Sequence, residues 1–301
     1  MRILMPIDGS TFSKAALAFI ASRSTLISSQ PDVELLNVQY PVSARVTRGA
    51  GKDLVQFHHQ SEANKVIKPA LAALKRAGLR AQVKSVVGSP GVEVGRIAAE
   101  DDADLIVMGS HGHTGFLNLL FGSVTHAVLA SCNTPLLVLR SDAVPKKDSL
   151  KLGIALDGSK YGLAAIRFVI KHRALFGAAP ALTLIHVAPD LLNLFAPGFF
   201  AEAPLPGFKP EQVAEMQRAA FERALAPARK LLQGTALQVT EAQLTGNNPG
   251  DAIAAYATKN KLDILALGSH GEGTLRSTVL GSVTTRVAAR CRTALLLIQQ
   301  K

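Results

Sequence analysis

The chain has 301 residues, 48% of them hydrophobic and 18% charged, and a formal net charge of +11. That length has room for two domains with cores of their own, and the composition excludes a disordered or collagen-like chain. Two cysteines, Cys132 and Cys291, supply neither a disulfide framework nor a four-ligand metal site, and no apolar run reaches the ~18 residues of a membrane span.

The apolar run Arg2–Ile7 ends in Asp8-Gly9-Ser10, which predicts a buried strand and then a turn. Asp8 arrives too early for the apolar core of a signal peptide, so the expected location is the reducing cytoplasm. Ser10 is placed to cap a helix over Phe12–Ser28. Val33–Val38 reads as a second strand. Asp53–Arg76 reads as a long helix, stopped at Gly78 and kinked or restarted at Pro69. The basic residues are scattered. Their densest stretch, Arg45 to Lys84, lies mostly on this helix and reads as a solvated face. With no Trp and three Tyr there is no stacking platform, so nucleic acid is not an expected partner. Gln82–Val87 is a third strand, Gly91–Glu100 a short helix and Asp104–Met108 a fourth strand. Ser123–Ser131 is a helix and Pro135–Leu139 a fifth strand.

The pattern then repeats. GSHG stands at Gly109–Gly112 and Gly268–Gly271, and GSVT at Gly122–Thr125 and Gly281–Thr284. Cys132 and Cys291 keep the same spacing of 159 residues, whereas Asp8-Gly-Ser and Asp157-Gly-Ser are offset by 149. The polar stretch Ser141–Ser149 reads as a linker between two copies of one domain, residues 1–142 and 150–301. The second copy predicts strands Leu152–Leu156, Leu182–Val187, Leu237–Leu244, Asp263–Leu267 and Ala294–Ile298. Its long helix is Glu211–Gln233, with Pro227 at the place of Pro69. Strands that are continuous apolar runs and alternate with helices predict a parallel sheet covered on both faces. Each half is therefore read as an open, doubly wound, Rossmann-like α/β domain with a five-stranded parallel sheet. Its ligand is expected at the carboxyl ends of the strands, beside the switch point.

At that end both halves carry G-x2-G-x9-G-S, as Gly109, Gly112, Gly122 and Ser123, and as Gly268, Gly271, Gly281 and Ser282. Glycines let the backbone approach an anion, and a helix N-terminus offers it free N–H groups. Ser123 and Ser282 are placed to cap their helices and donate to a phosphate. A duplicated structural turn would also repeat, so the pattern alone leaves that reading open. Asp8 and Asp157 read equally as turn-capping carboxylates. His111 and His270 read as phosphate contacts or as stabilisers of the turn. Cys132 and Cys291 read as small buried hydrophobes. Asp104 and Asp263 recur, but at the opposite end of the fourth strand.

The strand ILMPIDGS, its partner GIALDGS and the doubled glycine signature resemble the universal stress proteins of the UspA-like family, over nearly the whole chain and twice. The resemblance implies a fold like that of the adenine nucleotide alpha hydrolases, with ATP, or ADP or AMP, bound in each half. In the first site it places Asp8 beside the adenosine and the Val38 backbone on adenine. Met108 packs nearby, and Gly109, Gly112, Gly122, Ser123 and Val124 hold ribose and phosphates. The second site takes Asp157, Val187, Leu267, Gly268, Gly271, Gly281, Ser282 and Val283. Mg2+ would be carried in by the phosphates. The halves are expected to pair as an intrachain pseudo-dimer through their last strands, and the sequence is compatible with a homo-oligomer. Two departures stand out. Ala155 replaces Pro6, and a Phe-rich insertion from Asp190 to Pro210 follows the second strand, reading as a lid or interface rather than a membrane anchor.

No general base, nucleophile or duplicated carboxylate pair stands beside the glycines, so a regulatory binding role is expected, with at most slow ATP hydrolysis. A nucleotide-free interaction module is the alternative. A nucleotidyl-transfer or ATP-pyrophosphatase enzyme is disfavoured because neither SGGxDS nor a HIGH-type motif is present.

Overall fold

The computed structural model describes residues 1–43, 48–49, 51–110, 121–140, 144–145, 147–190, 209–269 and 280–299. In the first half, strands β1 (Arg2–Pro6), β2 (Asp32–Gln39), β3 (Ala81–Val87), β4 (Leu105–Gly109) and β5 (Leu136–Leu139) alternate with helices. These are α1 (Thr11–Ala21), α2 (Ser24–Ser28), α3 (Lys52–Arg76), α4 (Pro90–Glu100) and α5 (Ser123–Ser131). The second half repeats the plan with strands β6 (Lys151–Ala155), β7 (Ala181–Ala188), β8 (Gln238–Thr245), β9 (Ile264–Gly268) and β10 (Ala294–Ile298). Its helices are α6 (Lys160–Lys171), α7 (Pro210–Leu232), α8 (Pro249–Lys259) and α9 (Ser282–Arg290), with a 3-10 turn at Arg173–Phe176.

Among the described residues the strands form one ten-stranded sheet in the order β3-β2-β1-β4-β5-β10-β9-β6-β7-β8. Within each half the pairing is parallel, and β1 lies between β2 and β4, so the order reverses where the sequence places it. The halves meet where β5 and β10 pair antiparallel, with Leu295 opposite Val138, Leu296 opposite Leu137 and Leu297 opposite Leu136. All these residues are buried, which explains why both last strands are unbroken apolar runs: each is a central strand of a shared sheet, not an edge.

Each face of the sheet carries a core continuous across both halves. One face packs Phe19, Ile67, Ile166 and Leu225 from α1, α3, α6 and α7. The other packs Val94, Val128, Ile253 and Val287 from α4, α5, α8 and α9. Cys132 and Cys291 are buried and unpaired, as small hydrophobes, and burial pushes both thiols up from their ordinary pKa.

Two helix expectations are corrected. The helix over Phe12–Ser28 is broken into α1 and α2 at Ser22 and Arg23. Ser22 Oγ donates to Phe19 O, and the chain turns so that Arg23, 1% exposed, reaches across to the linker carbonyl of Pro145 at 2.7 Å. Of the kink or restart expected at Pro69, the restart does not occur, since α3 runs through it.

The amino-terminal ends of the strands hold a second contact between halves. Asp104 accepts from the backbone N–H of Arg2, and Asp263 accepts in the same way from Lys151. Lys171 reaches across to Asp104 at 3.0 Å, and His172 Nε2 lies 3.6 Å from the same oxygen. His172 is the counterpart of Arg23, which lies in the fields of Asp148 and Asp263. Burial pushes the His172 imidazole below its ordinary pKa. Asp104 opposes the shift, while Lys171 and the amino terminus add to it. The fold therefore favours the neutral ring. Its stabilising contribution is complete above the unfolded value of about 6.5 and is lost as the pH falls through it toward the lower folded value. The expected result is a melting temperature that drops between about pH 7 and pH 5, with a shallower drop in His172→Gln, read by calorimetry across that range.

Candidate functional site

The site is assembled by four chain crossings at the carboxyl end of each half-sheet. At the first crossing β1 runs out into Ile7 and the turn Asp8-Gly9-Ser10. Asp8 Oδ1 accepts from the Ser10 N–H at 2.9 Å, and Asp157 Oδ1 accepts from Ser159 N–H at 2.9 Å. Gly9 and Gly158 take φ of 81° and 88°, the left-handed region that favours glycine. Both aspartates thus build the turn that starts the following helix, and both remain solvent-exposed. Ser10 caps α1 as expected, its Oγ accepting from Ser13 N–H at 3.2 Å. Ser159 makes no such bond to α6, where Gly162 stands at the place of Ser13.

The second crossing is the end of β2 or β7. Here a polar residue interrupts an apolar strand. Asn37 Nδ2 donates to Ile7 O at 2.9 Å, and in the second half His186 Nδ1 bonds Leu156 O at 2.8 Å. Each ties the strand end to the carbonyl just before the site aspartate. Sequence reading passed over both. The signal was present, as one hydrogen-bonding side chain inside LLNV and LIHV.

The third and fourth crossings are the end of β4 or β9 and the start of α5 or α9. A Cβ on Gly109 would sit 2.4 Å from Phe12 Cβ and 2.7 Å from Phe12 C, so this glycine lets α1 cross close over the strand end. The loop between them leaves and returns at one point. Gly122 N–H donates to Ser110 O at 2.8 Å, and Gly281 N–H to Ser269 O at 2.7 Å. Gly122 and Gly281, not the serines, are the N-cap residues, and neither helix has a side-chain cap bond. That corrects the capping role expected of Ser123 and Ser282, which are instead the first helical residues. The outcome keeps the opening N–H groups of both helices clear of their own side chains. Gly112, Gly271, His111, His270 and most of the Phe-rich insertion lie outside the described residues.

In the second half these crossings enclose a cleft of about 430 Å³. Asp157, Val187, Leu267, Gly268, Gly281, Ser282 and Val283 line it, which is every described candidate of that half. The structure adds residues that sequence reading did not select, notably Leu156, Ile185, His186, Pro249 and Ile253. The cleft combines two chemistries. Leu156, Ile185, Val187 and Ile253 give it apolar lining, and Gly281 and Ser282 bring in the start of α9, which has no side-chain cap bond. This size and this mix are those of a small-molecule site. In the first half the same topology brings Asp8, Val38, Met108, Gly109, Gly122, Ser123 and Val124 to the equivalent end, with Ser13 and Pro6 in place of Gly162 and Ala155. Among the described residues there is no cluster of three or more His, Cys, Asp or Glu side chains able to hold a metal, and no helix long and apolar enough to cross a membrane.

The fold defines a tandem α/β protein whose halves repeat one arrangement of crossings at the switch point of each half-sheet, and in the second half those crossings line the cleft. The chain belongs to the universal stress protein family, whose sequence profile matches residues 1–140 and again 150–299. It is 30% identical over 154 residues to universal stress protein MJ0577 of Methanocaldococcus jannaschii, covering 46% of this chain and 94% of that one. A universal stress protein of Mycolicibacterium smegmatis is 24% identical over 309 residues, covering 99% of this chain and 97% of its own. The crystal structure of a universal stress protein from Archaeoglobus fulgidus superposes with a TM-score of 0.70 at 22% identity, over 100% of this chain and 98% of that chain, which shows the shared fold.

Proposed function

We propose that this chain is a regulatory adenine-nucleotide-binding protein of the cytoplasm, with residues 1–142 and 150–301 as its two binding domains. The observation that carries this reading is the convergence of all seven described second-half candidates on one cleft that has both apolar lining and a helix N-terminus without a side-chain cap bond. The apolar lining suits a purine, and the opening N–H groups and dipole of α9 suit phosphate oxygens. A phosphate-borne Mg2+ needs no protein cage, because it keeps most of its own waters, and Asp157 is a carboxylate in the cleft lining that could face it. Gly162 stands in the second half where the first has Ser13, and Leu156 closes in on its Cβ position, so the two sites differ in shape and are expected to fill with unequal affinity.

The test is thermal denaturation with ATP, ADP and AMP, followed by native mass spectrometry for stoichiometry. A nucleotide at 100 times its Kd stabilises the chain by about 2.7 kcal/mol. One equivalent per chain at low nucleotide, rising to two, is the expected course. No shift with any adenylate rejects the reading in favour of a nucleotide-free interaction module, and turnover at ordinary enzyme rates rejects the regulatory role.

A further inference from the structure

We propose that the free edge of β3 is a dimer interface, at which a second copy of this chain adds its own β3 antiparallel and extends the sheet. β3 and β8 end the ten-stranded sheet, and among the described residues β3 pairs with β2 alone. An edge strand presents unpaired N–H and C=O groups, which folds ordinarily guard with charge or cover. Gly88 N–H donates to Gln39 O on β2. By alternation Lys84 and Val86 also turn their peptide groups to β2, while Val83, Ser85 and Val87 turn theirs outward. Ala81 packs on the core beneath α3 and Val86 on the opposite one, which sets the Val83 and Val87 side chains on the α3 side. There they are 42% and 49% exposed.

The opposite edge is guarded where this one is bare. Gly246 N–H donates to Ala188 O as Gly88 N–H does to Gln39 O, which makes Glu241 and Thr245 of β8 the counterparts of Val83 and Val87. Glu241 carries a charge at that edge and is held by Arg229 at 2.7 Å. On β3 the charge is Lys84, which lies on the other face and is neutralised by Asp101 at 2.7 Å and Glu34 at 3.6 Å. The strand is also complementary to itself. An antiparallel pair centred on Ser85 sets Val83 of each chain opposite Val87 of the other, and the outward peptide groups exchange both hydrogen bonds. Lys84 then falls opposite Val86. Centring on Lys84 would oppose two like charges, and centring on Val86 would set Val87 against Ser85. The valine pairs thus select one register. The contact is isologous, so it closes at two chains. Because the match is of the strand with itself, the occupant is a second copy rather than an extended segment of another protein.

One seven-residue strand pair is a small contact, so the dimer is expected to be weak, with a Kd on the order of 10–100 µM. Sedimentation velocity of the full chain across that range, without nucleotide, should show monomer passing to dimer and nothing larger. Val83→Glu, which copies the guarded edge, should raise the Kd by at least about tenfold. In the unmodified chain, hydrogen exchange should show the Val83, Ser85 and Val87 amides gaining protection as the concentration rises, with Glu241 and Gln243 unchanged. That measurement decides the matter even if the variant does not fold. A monomer throughout, a dimer that survives Val83→Glu, species larger than a dimer, or protection gained on β8 instead of β3 overturns the inference. Each of these results leaves the nucleotide reading standing.

Discussion

Gly177→Ala is expected to lower the melting temperature by about 10 °C or more. Gly177 follows the 3-10 turn with φ of 108° and ψ of 179°, a conformation open to glycine and strained for other residues. A Cβ there would stand 1.8 Å from Asp148 O, 2.6 Å from Asp148 C and 2.8 Å from Ser149 Cα. These are backbone atoms of the linker, so no rotamer change relieves the overlap. Strain of about 1–3 kcal/mol adds to the cost of displacing the linker, and each kcal/mol moves a domain of this size by about 2–4 °C. Gly234→Ala is the control. It shares a positive φ of 78° but would meet nothing within 4 Å, so only the strain of about 1 kcal/mol remains. Scanning fluorimetry of the pair checks the prediction. Equal shifts would mean that the linker yields freely.

Leu296→Ala is expected to destabilise the chain by about 2–5 kcal/mol and to loosen both halves together. Leu296 is fully buried, lies opposite Leu137 across the antiparallel seam and pairs with Ala266 on its other side. Its core also contains Ile3, Leu35 and Val107 of the first half and Ile154 and Leu184 of the second. A cavity at this point weakens one cooperative unit. Hydrogen exchange should show β1 and β6 losing protection in parallel, with one calorimetric transition. Two resolved transitions, with β1 still protected after β6 has opened, would contradict a shared core.

What could be read beforehand follows from the range of the forces involved. Apolar runs such as LIVM and LLVL declare buried strands on their own, and the doubled glycine signature fixes their place at the strand ends. The break at Arg23 was hidden because its cause lies at Pro145, far along the chain, and no local propensity records it. The cap at Gly122 was misplaced onto Ser123 because serine is the commoner cap, while here a glycine occupies the position and the serine is the first helical residue. The cleft's apolar lining was only partly legible. Val187 and Leu267 were selected, but Ile253 comes from α8, and which face of that helix turns inward is a tertiary fact.

Because the β5–β10 ladder joins two parts of one polypeptide, dilution cannot separate them and a different subunit cannot take either place. A protein assembled from detached copies can exchange its mates with related chains, so its composition follows cellular abundance. Here the unlike members, one with Asn37 and one with His186, are held at a fixed one-to-one ratio by covalent continuity.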